Sequence, residues 1–240
     1  MSELVAIPLL PEDVDELDRY YGEPYVGVRA NMITTLDGGA AFNGRTKPVT
    51  DPADQVLLGH LRSYADVVLV GSATVAAEHY GPVKLSEELQ AKRRAAGHDP
   101  LPRLAVVTAR GALSPELRIF AGEARPVIIT TEQTATAQPA LGELGDVLVA
   151  GDTAIEPARI IDGLREAGLP RVLCEGGPFL LSTLIDAELV GDMCLTVSPF
   201  LTGLQPTTPQ PTSSLTAPTR LELRHVLTRN GLLYLRYSRE

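Results

Sequence analysis

Three short stretches bring glycines together with groups that bind anions or move protons: LDGG at 36–39, VGSAT at 70–74 and CEGGP at 174–178. Each follows a run of apolar or β-branched residues, so each sits where a strand ends. In open α/β sheets, ligands bind beyond the carboxyl ends of the strands. Gly176 and Gly177 let the backbone approach a ligand closely, and Pro178 suits the first turn of a helix, where its missing N–H costs nothing. The free N–H groups and the dipole of that turn attract an anion, typically a phosphate. Gly71-Ser72-Ala73-Thr74 offers the same at a second strand end. Neither run is the six-residue dinucleotide fingerprint or a P-loop, and a tight turn alone accounts for either one. Two of them in one chain, with an acid at a strand end, point to a nucleotide site.

Two carboxyls belong to these turns. Asp37, between TTL and Gly38, is either a turn former or a carboxyl that holds or donates a proton if an apolar cleft raises its pKa. Glu175 directly follows an apolar strand. It is either a charge at the wet end of the sheet or a buried carboxylate in need of donors. Arg62, in HLR at a helix end, is either solvated or a bidentate ligand for phosphate or carboxylate. The four histidines, 60, 79, 98 and 225, have no metal-ligand spacing and there is no cysteine cluster, so no metal site is expected. Cys174 and Cys194 lie in apolar runs and read as small buried hydrophobes.

The elements that would position these groups are legible in outline. Residues 1–24 read as a polar, acidic arm over the surface, and 25–240 as a single domain. YVGVRANMITTLDG reads as a strand running into a turn. DPADQVLLGHLRSY starts a helix, with Asp51 as N-cap and Pro52 at the first helical position. VVLV is a short continuous apolar run, typical of a parallel strand covered on both faces. RLAVVT and RPVIIT repeat the strand pattern, DVLVA follows as a further strand, and RVLC reads as another buried strand. Residues 84–99 read as an exposed helix and loop, and 156–168 as a helix closed by Gly168. Residues 202–220, rich in Pro, Thr and Ser, read as a mobile loop. Two β runs around Asn230-Gly231 finish the chain as a hairpin. This alternation predicts an α/β fold with a largely parallel sheet and antiparallel strands at its end.

Bulk properties narrow the function. The chain has 240 residues, a net charge of -9 and 44% hydrophobic residues. That argues against a broad nucleic-acid surface, which needs clustered Lys and Arg. Two cysteines make no disulfide framework, the N-terminus reads as no signal peptide, and no apolar stretch approaches a membrane span, so a cytoplasmic protein is expected.

Taken together, NMITTLDGGAA (31–41), the stretch from TDPADQ through HLRSYADVVLVGSATVAAE (50–78), and VLCEGGPFLL with MCLTVSPFLTG (172–181, 193–203) resemble the riboflavin-biosynthesis pyrimidine reductase family. The match spans roughly residues 26–203, and the terminal hairpin is also similar. The resemblance implies a dihydrofolate-reductase-like fold, NADPH as cofactor, a homodimer, and reduction of a ribosylaminopyrimidine 5′-phosphate to its ribityl form. It implies that Thr74, Gly71, Ser72 and the turn and helix start from Gly176 and Gly177 through Pro178, Phe179 and Leu180 to Thr183 hold the cofactor phosphates. Thr34 and Thr108 would flank the cofactor, with Glu78 beside it. Asn31, Thr46, Arg62 and Glu175 would face the substrate, and Asp37 would be the polar group nearest hydride transfer. Arg110, just past VVT, is the candidate cation for the 2′-phosphate that separates NADPH from NADH. Four departures fall at substrate-facing positions. Asn31 stands where bacterial bifunctional members have Lys, Glu78 replaces an Asp, HYGP replaces Asp-x-Pro, and Pro48 occupies a position often aromatic. Nothing resembles the family's zinc deaminase half. A dihydrofolate or pteridine reductase on the same fold, and a non-catalytic nucleotide-binding protein, are the alternatives.

Overall fold

The computed structural model describes residues 6–203 and 213–239. Of the loop expected at 202–220, residues 204–212 lie outside the described residues. The strands are β1 (Gly27–Thr35), β2 (Val67–Gly71), β3 (Arg103–Val107), β4 (Val127–Thr130), β5 (Asp146–Val149), β6 (Arg171–Cys174), β7 (Val190–Ser198), β8 (Glu222–Arg229) and β9 (Leu232–Ser238). The helices are α1 (Val14–Tyr21), α2 (Pro52–Ser63), α3 (Ser72–Ala77), α4 (Glu87–Ala95), α5 (Glu132–Ala137), α6 (Leu141–Leu144), α7 (Pro157–Glu166) and α8 (Pro178–Asp186).

The nine strands among the described residues form one sheet, ordered β5-β4-β3-β2-β6-β1-β7-β9-β8. β1 to β7 run parallel, and β9 joins β7 antiparallel as the inner strand of the terminal hairpin. This is the mixed α/β sheet expected from the sequence. Asn230 and Gly231 both take positive φ, 53° and 83°, the geometry of a tight two-residue hairpin turn.

The short central strands are apolar on both sides because both faces are covered. Val67, Leu69, Val172 and Cys174 pack into one core, with Leu180 and Leu184 of α8 and Ile160, Ile161 and Leu164 of α7. On the opposite face, Leu173 and Cys194 meet Leu57 and Leu61 of α2. Burial pushes both the Cys174 and Cys194 thiols up to about 12, so neither is a thiolate near neutrality.

The first described residues do more than pass over the surface. Leu10, Leu17 and Tyr21 are buried in the same core as α2 and β9. Two arginines fasten this segment: Arg29 donates to the Tyr21 carbonyl at 3.0 Å and Arg236 to the Tyr20 carbonyl at 2.5 Å. Residues 84–99 are also less exposed than their composition suggests, since Leu89 and Arg93 are buried. Arg93 donates to the carbonyls of Ser63, Ala65 and Asp99, closing the end of α2.

Candidate active site

The strand order explains why the glycine turns matter. From β2 the chain steps outward through β3, β4 and β5; from β6 it crosses past β1 to β7. β2 and β6 are neighbours whose connections leave in opposite directions, and a crevice opens at such a switch point. The two glycine turns occupy it. The Gly71 N–H donates to the Gly176 carbonyl at 2.9 Å, and the Glu175 N–H donates to the Leu69 carbonyl at 3.0 Å. Gly176 has φ +87°, which only glycine adopts without strain, and a Cβ there would touch the side chain of Met32 of β1. The Gly176–Gly177 peptide is cis. A Cβ on Gly177 would run into Thr74 Oγ1, so the turn and Thr74 are in intimate contact.

Beyond that turn, α8 starts with Pro178, without a side-chain cap. Its first intrahelical bond is Leu181 N–H to the Gly177 carbonyl at 3.0 Å. The N–H groups of Phe179 and Leu180 lie before that bond and are the free donors of a helix start. The Phe179 side chain is 65% exposed beside them. Bare amides, a helix dipole and closely packed glycines form a cradle that fits the phosphates of a dinucleotide.

Around this cradle the structure sorts the candidate residues. Arg62 and Glu175 meet in a bidentate pair, Nε to Oε1 and Nη2 to Oε2, each at 2.7 Å. The Tyr80 hydroxyl donates to the same carboxylate, and Arg62 Nη2 reaches that hydroxyl at 3.3 Å. The side chains of Arg62 and Glu175 are 18% and 5% exposed, so Arg62 is no solvated helix end and Glu175 no wet strand end. Burial works against the Arg62 charge, but the Glu175 carboxylate and Tyr80 outweigh it and raise the pKa. Burial and the Glu175 charge together push the Tyr80 phenol up, so it stays a donor. Tyr80, from HYGP, was not legible as a partner because it is far in sequence from both.

Asp37 departs from the expectation of a proton-holding carboxyl. It is exposed, and its Oδ1 accepts from the Thr35 hydroxyl at 2.5 Å. Its Oδ2 accepts the N–H groups of Thr202 and Gly203 at 2.9 and 2.7 Å. These bonds, led by the Thr35 hydroxyl, hold its pKa down at about 2. A carboxylate ionised at every physiological pH ties the loop after β7 to the end of β1. Glu78 anchors a loop in a similar way. Its Oε1 accepts the Thr46 N–H at 2.8 Å, which docks the 36–50 loop on the end of α3. Arg45 supports that contact by meeting His79 Nε2 at 2.8 Å.

The other candidates spread along the strand ends. Thr34 shares a face of β1 with Met32, the residue against Gly176, while Asn31 lies on the opposite face with Arg29. Asn31 pairs in register with Cys194, one row beyond the Ala30–Cys174 pair, so it is level with Glu175. Thr108 is buried at the end of β3, its carbonyl accepting from the Thr130 hydroxyl at 2.7 Å. Arg110 is exposed just beyond it, with its carbonyl bonded to Gln138. The crevice thus combines an anion cradle with a buried cation–carboxylate–phenol cluster.

The model of the RibD C-terminal domain matches residues 26–233. The chain belongs to that family. This RibD-type domain is 29% identical over 182 residues to the 2,5-diamino-6-ribosylamino-4(3H)-pyrimidinone 5′-phosphate reductase of Archaeoglobus fulgidus, covering 75% of this chain and 82% of that one. It is 27% identical over 181 residues to the protein of the same name from Methanothermobacter thermautotrophicus, covering 75% and 80%. Among solved structures it is similar to a pyrimidine reductase-like protein of Corynebacterium diphtheriae, with a TM-score of 0.76, 26% identity, and 92% and 97% of the two chains covered. The family match takes in β1, the switch-point turns and most of the terminal hairpin of the RibD-type domain.

Proposed function

We propose that this chain is an NADPH-dependent reductase that converts a ribosylaminopyrimidine 5′-phosphate to its ribitylamino form in riboflavin biosynthesis. The observation that carries the reading is the joined pair of glycine turns between β2 and β6, packed against Thr74 and opening onto the bare start of α8. The names of the two archaeal relatives support the substrate class.

In this reading Gly71, Ser72, Thr74, the Gly176-Gly177 turn and the amides of Phe179 and Leu180 hold the dinucleotide phosphates. Thr34 and Thr108 flank the cofactor, and Arg110 meets its 2′-phosphate. The bound nicotinamide supplies the hydride. Arg62 uses Nε and Nη2 on Glu175 and Tyr80, which leaves Nη1 for an anionic or carbonyl group of the substrate. Glu175 and Tyr80 act through Arg62, fixing its plane. Asn31 and Thr46 complete the substrate side. Asp37 and Glu78 set the two loops that border the crevice. A second copy of the chain is the expected partner; Phe200, Leu201 and Leu223 offer apolar surface near the terminal strands. No helix among the described residues is long and apolar enough to cross a membrane.

The test is NADPH consumption by the purified chain with a diaminopyrimidine ribosylamino phosphate, its deaminated form and dihydrofolate in parallel. Turnover of a ribosylamino phosphate is the expected result, and the preferred form places the enzyme before or after deamination. Turnover of dihydrofolate alone, or saturable NADPH binding with no turnover, overturns the assignment.

A further inference from the structure

One carboxyl beside the crevice, Asp54, is engaged in no ion pair among the described residues and holds no loop amide. Asp54 lies in the first turn of α2, where its own N–H satisfies the Asp51 cap at 2.8 Å. Its side chain turns back toward the sheet. Oδ1 accepts from the Thr196 hydroxyl of β7 at 2.7 Å, and Oδ2 from the Thr50 hydroxyl at 2.5 Å. Thr196 pairs with Ile33, two residues short of the end of β1, so Asp54 stands over the β1–β7 boundary near the carboxyl edge. Asn31 and Ile33 share that face of β1, and Arg62 lies further along the same helix. From β7 to β6 is two strand spacings, roughly 10 Å, about the width of a pyrimidine with part of its sugar.

The environment suits a proton carrier. Burial raises the Asp54 pKa and the Asp51 charge adds to it, while the two threonine hydroxyls pull the other way. Tyr234 of β9 faces the same carboxyl pair, its hydroxyl 3.4 Å from Asp51, and Asn230 donates to Asp51 at 2.8 Å. The residue remains partly exposed, so a proton can return from solvent. The other carboxyls near the crevice are committed. Asp37 is held ionised by Thr35 and two amides, Glu175 is bonded to Arg62 and Tyr80, and Glu78 accepts from Thr46.

We propose that Asp54 is the acid of this reductase, donating a proton to the ring oxygen of the substrate's ribosyl group. The inference rests on the function proposed above. In this step the C1′–O4′ bond breaks, its electron pair passes to O4′, and O4′ takes the Asp54 proton. C1′ receives a hydride from the reduced nicotinamide dinucleotide, which is oxidised by two electrons. Asp54 is left as a carboxylate with the Thr50 and Thr196 hydroxyls as donors, and solvent reprotonates it.

The experiment compares Asp54→Asn with the wild-type chain. Expected is a fall in kcat of about 100-fold or more, with an unchanged thermal midpoint and an unchanged NADPH titration by fluorescence. Because the acid must be protonated, wild-type kcat falls as pH rises through the Asp54 pKa, and Asp54→Asn lacks that limb. Thr50→Val removes a hydroxyl that favours the carboxylate, so it shifts the limb to higher pH. Independently of turnover, carboxyl carbon-13 NMR shows one aspartate titrating above the ordinary range, and that signal is missing in Asp54→Asn. Asp54→Asn activity within about threefold of wild type, or an unchanged pH limb in that variant, overturns the proposal. A wild-type chain that reduces dihydrofolate but no ribosylamino phosphate refutes the substrate reading instead. Asp54→Asn is then scored on dihydrofolate, where a comparable loss keeps Asp54 as the acid and an unchanged rate removes it.

Discussion

Two buried arginine–carboxylate clusters lie on the same face of the sheet and are built to opposite ends. Near the start of β1, Asp192 accepts from both Arg29 and Arg236, at 2.9 and 2.8 Å, with Arg29 fully buried and Asp192 8% exposed. The remaining donors of these arginines go to the carbonyls of Tyr21 and Tyr20 and to Glu23. Near the carboxyl edge, Arg62 is more open and, among the described residues, meets one carboxylate and one phenol. The first cluster is closed, and everything it binds is backbone or side chain of the chain itself. The second holds one arginine rigid while part of its guanidinium stays uncommitted. A buried ion pair is weak evidence for stability, since desolvation offsets much of the attraction. What distinguishes a fastening from a binding site is how many donors the fold itself consumes.

That contrast stands or falls on a series of substitutions. The largest effect is expected for Asp192→Asn, which strands two buried guanidinium groups. A loss of about 3–5 kcal/mol is expected in urea unfolding, with the N-terminal segment becoming susceptible to protease. A loss below about 1 kcal/mol would show that the cluster fastens nothing. Glu175→Gln comes next. It costs about 1–3 kcal/mol, because Arg62 can turn toward water, and its main signature is a substrate KM raised about tenfold through loss of the bidentate fork. An unchanged KM would return the pair to a structural role.

Gly177→Ala probes the open cluster's neighbour, the phosphate cradle. Its new methyl meets Thr74 Oγ1, so NADPH binding should weaken about tenfold or more in a fluorescence titration. Thr74→Gly in the same chain should recover the turn geometry while losing the hydroxyl, giving a partial rescue. The smallest effect is expected for Asp37→Asn. Its folded pKa is depressed, so what the charge contributes is present above the ordinary aspartate value and is lost as pH falls toward about 2. Across pH 5 to 9, roughly the range around neutrality in which a free aspartate is already ionised, the wild-type loop should stay anchored. The variant should change kcat by no more than about threefold; a loss of about 100-fold would reinstate Asp37 in the proton path.

Much of the fold was legible from local signals. Asp51-Pro52 opens α2 with the cap bond expected of an aspartate before a helical proline. Asn230-Gly231 turns the hairpin, and the apolar runs form the parallel strands. The N-terminal segment reads as surface because its many acids mask the three large apolar residues that it buries. Residues 84–99 read as exposed for a similar reason: Arg93 is charged yet buried, and its partners are carbonyls, which carry no sequence signature.

The candidate site was legible as residue types and not as partnerships. Glycine turns advertise themselves, because few other roles require consecutive glycines before a proline. Asp54 advertised nothing. An acid in the first turn of a helix is explained by the helix dipole alone, so its chemical environment was hidden behind a local reason.

Local sequence was enough to specify which segments become strands and helices, where the chain turns, and that glycines and a helix start meet an anion. All of these follow from backbone freedom and hydrophobic period within a few residues. The insertion of β6 between β2 and β1 belongs to the assembled fold. That insertion brings Gly71 to Gly176, and Arg62 to Glu175 and Tyr80, while the β1–β7 pairing sets Thr196 beneath Asp54. Strand order is set by the packing of whole faces against α2, α7 and α8, a sum over distant residues that no short stretch of sequence contains.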